Sequence, residues 1–128
     1  MARDVINVQY PAADNSQSAG CASIVKSAVT AANGVSIKNA FANKNNSLVI
    51  VIENTADEDS SVTFVAGDNY PNAMLGNLEF EVLSESIKAF QIQDISRFEN
   101  KDGSLNIDFD SDFTGTIFAV AKSTALNV

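Results

Sequence analysis

Short apolar segments that alternate with polar residues and end at turn signals constrain the fold of this chain most. The segment Leu78-Glu79-Phe80-Glu81-Val82 alternates strictly, and residues 105–110 do the same. A period of two is typical of a strand with one buried face. Several such segments, at spacings of roughly 8–15 residues and separated by turns, are typical of an antiparallel sandwich or barrel. We therefore predict an all-β protein, an antiparallel β-sandwich of jelly-roll or Ig-like type with about seven to nine short strands.

The inward-facing positions of these strands define the predicted core. The run from Leu48 to Ile52 is continuously apolar and favours a central strand that is buried on both faces. The other segments contribute every second residue. The predicted core residues are Leu48, Ile50, Ile52, Val62, Phe64, Leu78, Phe80, Val82, Phe90, Ile92, Leu105, Ile107, Phe109 and Ile117.

The segment from Ala22 to Val35 fits two structures. Ala22, Val25 and Ala28 lie at helical spacing, and alanine favours helix. The segment is also rich in β-branched residues, and Asn33-Gly34 is a strong tight-turn pair. We predict extended structure that turns at Asn33-Gly34, with a helix capped by Gly34 as the alternative.

Length and composition indicate one domain with an appendage. The chain has 128 residues, of which 45% are hydrophobic, enough for a substantial core. Val5–Tyr10 alternates and is predicted to be a strand, whereas Pro11 to Gly20 is small and polar and has no apolar face. We predict that residues 1–20 form an N-terminal strand and flexible arm, and that residues 21–128 form the sandwich domain. Deleting the arm is then expected to leave folding intact.

The charge of the chain excludes some partners. The formal net charge is -8 and the isoelectric point is near 4.2. The 8 basic residues are scattered, with no run and no aromatic residues between them. Nucleic acid and anionic membranes attract proteins through clustered Lys and Arg. We therefore expect neither nucleic-acid nor membrane binding.

Cysteine usage and the N-terminus indicate an intracellular place of synthesis. Cys21 is the single cysteine of the chain, so no internal disulfide can form. A lone thiol favours a protein made in a reducing compartment. The opening Met1-Ala2-Arg3-Asp4 has none of the features of a secretory signal. The longest purely apolar run, Leu48 to Ile52, is far too short to span a bilayer.

The residue types present argue against catalysis. The chain contains no histidine, which excludes histidine acid–base catalysis and serine–histidine triads. It also nearly excludes a zinc site. Cys21 has no histidine partner and is expected to be a small buried hydrophobe. No pair of carboxylates stands out as a glycosidase pair. We predict a protein that is not an enzyme and has no cofactor and no metal.

The acidic residues Asp108, Asp110 and Asp112 resemble the opening of a calcium-binding loop. Such a loop needs glycine at its sixth position and a bidentate acid at its twelfth. Counted from Asp108, these positions hold Phe113 and Ala119, so the match fails. A solvated outer face is the favoured interpretation, and a different oxygen-ligand site stays open.

The candidate residues for partner binding lie in turns. Asp57, Glu58 and Asp59 form an acidic turn that suits basic residues of a partner. Tyr70 and Pro71 place an aromatic ring in the longest loop, from Gly67 to Asn77, where it could serve an interface or plug its own sheet. Arg97 is expected to bind a carboxylate, either within the domain, such as Asp94 or Glu99, or across a subunit boundary.

The order of the turn motifs resembles that of a known protein family. The motifs are Ala31-Ala32-Asn33-Gly34, Glu53-Asn54-Thr55, Val65-Ala66-Gly67-Asp68-Asn69-Tyr70-Pro71, Gly76-Asn77-Leu78, Ser96-Arg97-Phe98, Asp102-Gly103-Ser104 and Thr114-Gly115-Thr116-Ile117. Over about residues 30–122 this order resembles small head decoration (auxiliary capsid) proteins, which are encoded beside the major capsid proteins of tailed bacteriophages and prophages. The resemblance implies a β-sandwich fold and association with the virion. It implies no catalytic or binding residues.

The resemblance leads to an expected function. The chain is expected to be a non-enzymatic virion protein that binds the outer capsid surface and reinforces the shell. Its expected partners are the major capsid protein and, as an open alternative, further copies of itself in a trimer or other small homo-oligomer. Its expected location is the capsid surface, after synthesis in the cytoplasm of the bacterial host. The alternative function is a virion-displayed binding or adhesion module for carbohydrate or host surface, for which the exposed aromatic candidates are Tyr10 and Tyr70.

Overall fold

The computed structural model describes residues 2–10, 24–40, 48–68, 76–92 and 95–121, and over these ranges the protein is all-β. The strands are β1 (Asp4–Gln9), β2 (Ser27–Ala28), β3 (Val35–Lys38), β4 (Val49–Asn54), β5 (Ser60–Phe64), β6 (Leu78–Val82), β7 (Ser86–Gln91), β8 (Leu105–Phe109) and β9 (Gly115–Val120). One single-turn helix, α1 (Ile95–Phe98), interrupts them. The predicted all-β class is confirmed.

The strands form one continuous sheet that curls towards closure. Their order is β6-β5-β8-β3-β1-β9-β4-β7, and the short β2 pairs with β9 beside this path. β6 and β7 are consecutive in the chain, yet they occupy the two ends of the order, so the ends of the sheet meet. The result is a nearly closed, barrel-like sheet, and the predicted sandwich is not confirmed.

The first strand joins the two halves of this sheet. Asp4–Asn7 pairs with β3, whereas Val8 and Gln9 pair with β9, and both pairings are parallel. The prediction of a purely antiparallel sheet is therefore wrong, because β1 makes the sheet mixed. Alternation shows that a strand has an inner face, but it carries no information on the direction of the neighbouring strands.

The predicted N-terminal segment begins with a strand, and this strand is β1. The strand prediction for Val5–Tyr10 is confirmed, and β1 lies inside the sheet with a partner on each side. The predicted connector, Pro11 to Gly20, lies outside the described residues, so its flexibility and the division at residue 20 stay predictions.

The extended interpretation of the segment before β3 is confirmed over its described part. β2 (Ser27–Ala28) is followed by a turn in which Asn33 and Gly34 both donate their N–H groups to the Thr30 carbonyl. Gly34 has a φ of 72°, and a Cβ atom there would lie 2.9 Å from the carbonyl oxygen of Ile107. Only glycine meets both demands without strain.

Most of the predicted core is buried, with an informative exception in β6 and β7. Leu78 is 39% exposed, and Phe80 and Phe90 are half-buried. β6 and β7 are the two terminal strands of the sheet. The inward side chains of these strands therefore line the gap between the two ends of the sheet and are not fully enclosed. The predicted core residues that are buried are Leu48, Ile50, Ile52, Val62, Phe64, Val82, Ile92, Leu105, Ile107, Phe109 and Ile117.

The core also contains residues that the pattern did not single out. Val35 and Ile37 come from the short β3, and Phe98 comes from α1, which was predicted to be a plain turn. Phe113 packs on Phe109 with ring centroids 4.7 Å apart. Four residues or a single turn are too short to show a period, so burial in these elements follows from the fold.

We expect the chain without residues 1–10 to lose cooperative folding. The truncation removes the strand that hydrogen-bonds to both β3 and β9, and it exposes the facing edges of both. Far-ultraviolet circular dichroism and thermal melts measure the effect. A matched chain that lacks only Met1 and Ala2 keeps β1 and should melt cooperatively. A cooperative melt of the longer truncation would contradict the central role of β1.

We expect Phe64→Ala to lower the free energy of unfolding by about 3–5 kcal/mol. Phe64 is 1% exposed, and its ring makes edge-on contacts with Phe80, Phe90 and Phe98 at 4.8, 5.5 and 5.9 Å. Denaturant unfolding measures the loss. Phe80→Ala is the control and should cost less, because Phe80 is only half-buried. Equal losses at both positions would contradict this assignment of the core.

Candidate interaction surfaces

The turns at one end of the sheet are hydrogen-bonded to each other. Ser84, between β6 and β7, donates its backbone N–H to Asp59 Oδ1 at 2.8 Å and its hydroxyl to the Ala56 carbonyl at 3.0 Å. The turn between β8 and β9 joins them, because Thr55 donates its N–H to the Thr114 carbonyl at 2.8 Å. These hydrogen bonds therefore connect the three turns to one another.

Asn54 organises this unit from inside. It is 0% exposed, and its Nδ2 donates to the carbonyls of Glu58 at 2.9 Å and Val82 at 3.1 Å. Its Oδ1 accepts the backbone N–H of Ala56 at 3.0 Å. One buried amide thus ties the end of β4 to the following turn and to the end of β6, which belongs to the other half of the sheet.

The charged side chains that project from the turns at this end are acidic, and the exposed Leu83 lies among them. The turns that compose it, residues 55–59, 83–85 and 110–114, contain no lysine or arginine. We call this surface the acidic end. Its exposed carboxylates are Asp57, Glu58, Asp59, Glu85, Asp110 and Asp112.

The predicted partner-binding residues that the structure describes lie at two ends of the sheet, the acidic turn at one and Arg97 at the other. Asp57, Glu58 and Asp59 are exposed and lie together at the acidic end. Tyr70 and Pro71 lie outside the described residues, so their role stays a prediction. The described bases of their loop, residues 65–68 and 76–77, follow β5 and precede β6, which places them at the opposite end of these strands from the acidic turn.

The turns at Asn33-Gly34 and Asp102-Gly103 lie at different ends of the sheet. Val29, which leads into the first of these turns, donates its N–H to the carbonyl of Gly115 beside the acidic end. Residues 102–103 lie at the far end, next to Asp68. Strand direction decides which turns share an end: β3 runs antiparallel to β8, so the start of β3 lies beside the end of β8.

Arg97 braces the far end from within the protein. Its Nε donates to the Gly76 carbonyl and its Nη2 to the Asn77 carbonyl, both at 3.1 Å. Its guanidinium also lies 5.3 Å from the ring of Phe98. The expected carboxylate partner Asp94 lies outside the described residues. The backbone contacts make Arg97 a link between α1 and the start of β6.

The outer surfaces of the two sheet halves differ in character. The outward side chains of β6, β5, β8 and β3 are polar. We call the surface that they form the polar face. The register places Thr63 between Glu79 and Asp108, and Ser36 opposite Asn106. This is the alternation expected of a sheet with one solvated side.

The outer surface of β7, β4 and β9 is more apolar. In register, Val51 lies between Ala89 and Phe118, and Val49 lies beside Val120. Ile87 is 63% exposed, and three polar side chains share the surface: Gln91 opposite Val49, and Glu53 between Ile87 and Thr116. We call this surface the apolar face, defined by Val49, Val51, Ile87, Ala89, Phe118 and Val120.

The sequence signal for the apolar face is the continuous apolar run that contains Val49 and Val51. This run was predicted to be a strand that is buried on both faces. In the structure Ile50 and Ile52 are 0% exposed, whereas Val49 and Val51 are only partly covered. A continuous apolar strand needs apolar cover on both sides, and the described residues supply it fully on one.

The seam between β6 and β7 is closed by side chains. No backbone pairing joins these strands in the described part of the chain. Phe80 and Phe90 meet across the seam with ring centroids 4.0 Å apart. Lys88 Nζ donates to the Glu81 carbonyl at 3.3 Å and lies 5.6 Å from the Phe90 ring. An inward-pointing lysine at the end of a sheet discourages pairing with foreign strands.

A polar groove of about 480 Å³ lies at the far end of the sheet. Asn100 is buried there and donates to the Ser104 carbonyl at 3.0 Å. The Ser104 hydroxyl and N–H both donate to Asp102 and lower the pKa of that carboxyl. These bonds favour the folded turn above the ordinary pKa of an aspartate and are lost as the pH falls through the lowered value.

The acidic triplet considered for calcium is dispersed. Asp108 lies on β8 and bonds to Arg3, whereas Asp110 and Asp112 belong to the turn at the acidic end. Within the described ranges, no three acidic, histidine or cysteine side chains group as metal ligands. No helix among the described residues is long and apolar enough to cross a membrane.

We expect Asn54→Ala to lower the free energy of unfolding by about 1–3 kcal/mol or more, since it leaves buried backbone groups unpaired. Denaturant unfolding measures the loss. Asn7→Ala is the control, because Asn7 is exposed on β1, and it should change stability by no more than about 0.5 kcal/mol. Similar losses for the two variants would show that Asn54 does not hold the turns together.

The comparisons with known proteins add no identity to this geometry. No protein-family model, no curated protein and no solved structure matches the chain. Its function is therefore inferred from its surfaces, foremost the acidic end.

Proposed function

We propose that the protein is a non-enzymatic structural protein of a tailed-bacteriophage virion, a head decoration protein that binds the outer capsid surface and reinforces the shell. The observation that carries this proposal is the acidic end, where exposed carboxylates project from turns that are hydrogen-bonded to each other. The order of the turn motifs, which resembles that of decoration proteins, supplies the class of partner.

The acidic end suits a basic partner surface. Asp57, Glu58 and Glu85 are exposed and come from adjacent turns, so their charges act on the same partner region. The whole chain carries a net charge of -8, which strengthens the attraction at long range. Charge complementarity of this kind raises association rates and selects partners by sign.

The turns are also preorganised for docking. Asn54 and Ser84 hold the acidic turn through bonds of 2.8 to 3.1 Å. A turn that is already ordered loses little conformational freedom when it binds. Rigid turns on a β scaffold thus fit a protein that must meet the same surface many times on one shell.

Modest affinity for each copy is sufficient in this function. A shell repeats its binding sites many times, and neighbouring copies that also touch one another add to the total binding energy. Reinforcement then follows from contacts that span the boundaries between capsid subunits. The chain needs no catalytic group for this role, consistent with its lack of histidine.

We expect binding to capsids to weaken as salt rises, because exposed charge pairs are screened over about 8 Å at physiological ionic strength. Co-sedimentation of the protein with undecorated capsids at increasing salt measures occupancy. Cryo-electron microscopy of the same particles should then place Asp57 and Glu58 against lysine or arginine side chains of the capsid protein.

A matched pair of double variants tests the surface. Asp57→Asn with Glu58→Gln should lower occupancy at least about tenfold at limiting protein concentration, the loss expected when about 1.4 kcal/mol of contact is removed. Glu79→Gln with Glu81→Gln removes the same charge from the polar face and should keep near-normal occupancy. Full occupancy with the first pair would reject docking through the acidic end. Binding to host-surface glycans without binding to capsids would instead support an adhesion module.

A further inference from the structure

We infer that Lys88 protects the free edge of β6: it closes the seam between β6 and β7 and prevents this edge from pairing with a further strand. The inference concerns the sheet itself. It does not depend on the proposed virion function, and each can fail without the other.

The two strands that border the seam are adjacent in the chain but do not pair. Only residues 83–85 separate them, and a connection this short usually joins hydrogen-bonded neighbours. Here β6 pairs with β5 and β7 pairs with β4, and both strands end the sheet order. In the described part of the chain, each strand therefore has one edge without a strand partner.

The register shows which backbone groups lie on the free edge of β6. The carbonyl of Ser61 accepts the N–H of Asp110, so it points towards β8 and away from β6. Ser61 lies opposite Glu81. Hydrogen-bonded and non-hydrogen-bonded positions alternate along an antiparallel pair. Glu79 and Glu81 therefore turn their N–H and C=O groups away from β5 and towards the seam.

The strand β7 turns backbone groups towards the seam in the same way. The N–H of Ile92 donates to the Leu48 carbonyl at 2.9 Å, so the even-numbered residues of this strand bond to β4. Ile87 and Ala89 therefore direct their N–H and C=O groups to the other side. Backbone donors and acceptors border the seam on both sides, which is the arrangement that a further extended chain recognises.

Lys88 lies across this arrangement. Its Nζ donates to the Glu81 carbonyl at 3.3 Å, one of the acceptors that a further strand would need. The same ammonium lies 6.0 Å from the Phe80 ring and 5.6 Å from the Phe90 ring. A further strand could reach the Glu81 carbonyl only by displacing Lys88 or by burying its charge. Burial of an ammonium without a paired charge is costly.

The neighbouring side chains show why the edge needs protection. Leu78 is 39% exposed, and Phe80 and Phe90 are half-buried beside the seam. Apolar side chains next to unpaired backbone groups make a sheet edge prone to aggregation. The side chains of Glu79 and Glu81 point to the polar face and do not cover the edge. Lys88 places a positive charge at the edge itself.

Sedimentation equilibrium of the purified full chain tests the inference. Lys88→Met removes the ammonium but keeps a flexible side chain that covers the rings. Its dissociation constant for self-association should be at least about tenfold lower than any that the wild type shows. Lys26→Met is the matched control, because Lys26 is an exposed lysine that bonds to Glu53 elsewhere on the surface. It should associate no more than the wild type does.

The control separates edge protection from net charge. Both substitutions make the net charge one unit more negative than -8, which by itself increases repulsion between copies. Stronger association of Lys88→Met alone would therefore support the inference. Equal association of Lys88→Met and the wild type, both folded by thermal melting, would overturn it. Stronger association of both methionine variants would also overturn it.

A proline locates the contact. The N–H of Glu79 faces the seam, so Glu79→Pro removes a donor from the free edge without removing a bond to β5. Added to Lys88→Met, it should restore the association state of the wild type. Association that persists in the folded double variant would place the contact away from the free edge of β6 and overturn the inference.

Hydrogen exchange of the wild type gives a test that needs no variant. The amides of Glu79 and Glu81 should exchange at least about tenfold faster than those of Phe80 and Val82, which bond to β5. Equal protection of the two sets would mean that another segment already pairs with this edge. That result would overturn the inference even where Lys88→Met does not fold.

Discussion

The parallel pairing of β1 with both β3 and β9 is the interaction on which the rest of the structure depends. The first four residues of β1 bond to one half of the sheet, and Val8 and Gln9 bond to the other. Without this strand, β3 and β9 would each expose an unpaired edge, and unpaired buried backbone groups are costly. Because β1 completes the sheet in its middle, the remaining gap falls between β6 and β7. Closure there comes from side chains, with Phe80, Phe90 and Lys88 across the seam.

The second connection between the halves is the buried amide of Asn54. It joins β4, which lies in one half, to β6, which ends the other. A buried polar side chain is stable only when its hydrogen bonds are made, and here they organise the turns that carry the acidic end. Asn54 therefore connects the core directly to the surface turn. The residue that satisfies the interior also fixes the geometry of the carboxylates outside.

The outer surface divides into regions of different character. The acidic end carries exposed carboxylates on turns that are hydrogen-bonded to each other, which favours a basic partner and a salt-dependent contact. The apolar face lies on β7, β4 and β9, where partly exposed apolar side chains share the surface with Gln91, Glu53 and Thr116. Each surface follows from a separate set of residues, so each can be altered alone.

The sequence by itself determined the all-β class, most of the strands, the alternating core and the place of the acidic turn. These features depend on local periodicity and turn chemistry, as in Leu78–Val82 and Asn33-Gly34, where each residue reports its own conformation. Only the tertiary structure decided that β1 lies inside the sheet, that the sheet is mixed, and that Val49, Val51 and Phe118 share a partly exposed outer face. Strand order and direction depend on contacts between residues far apart in the chain, and a pattern along the chain records burial but not which neighbour provides it.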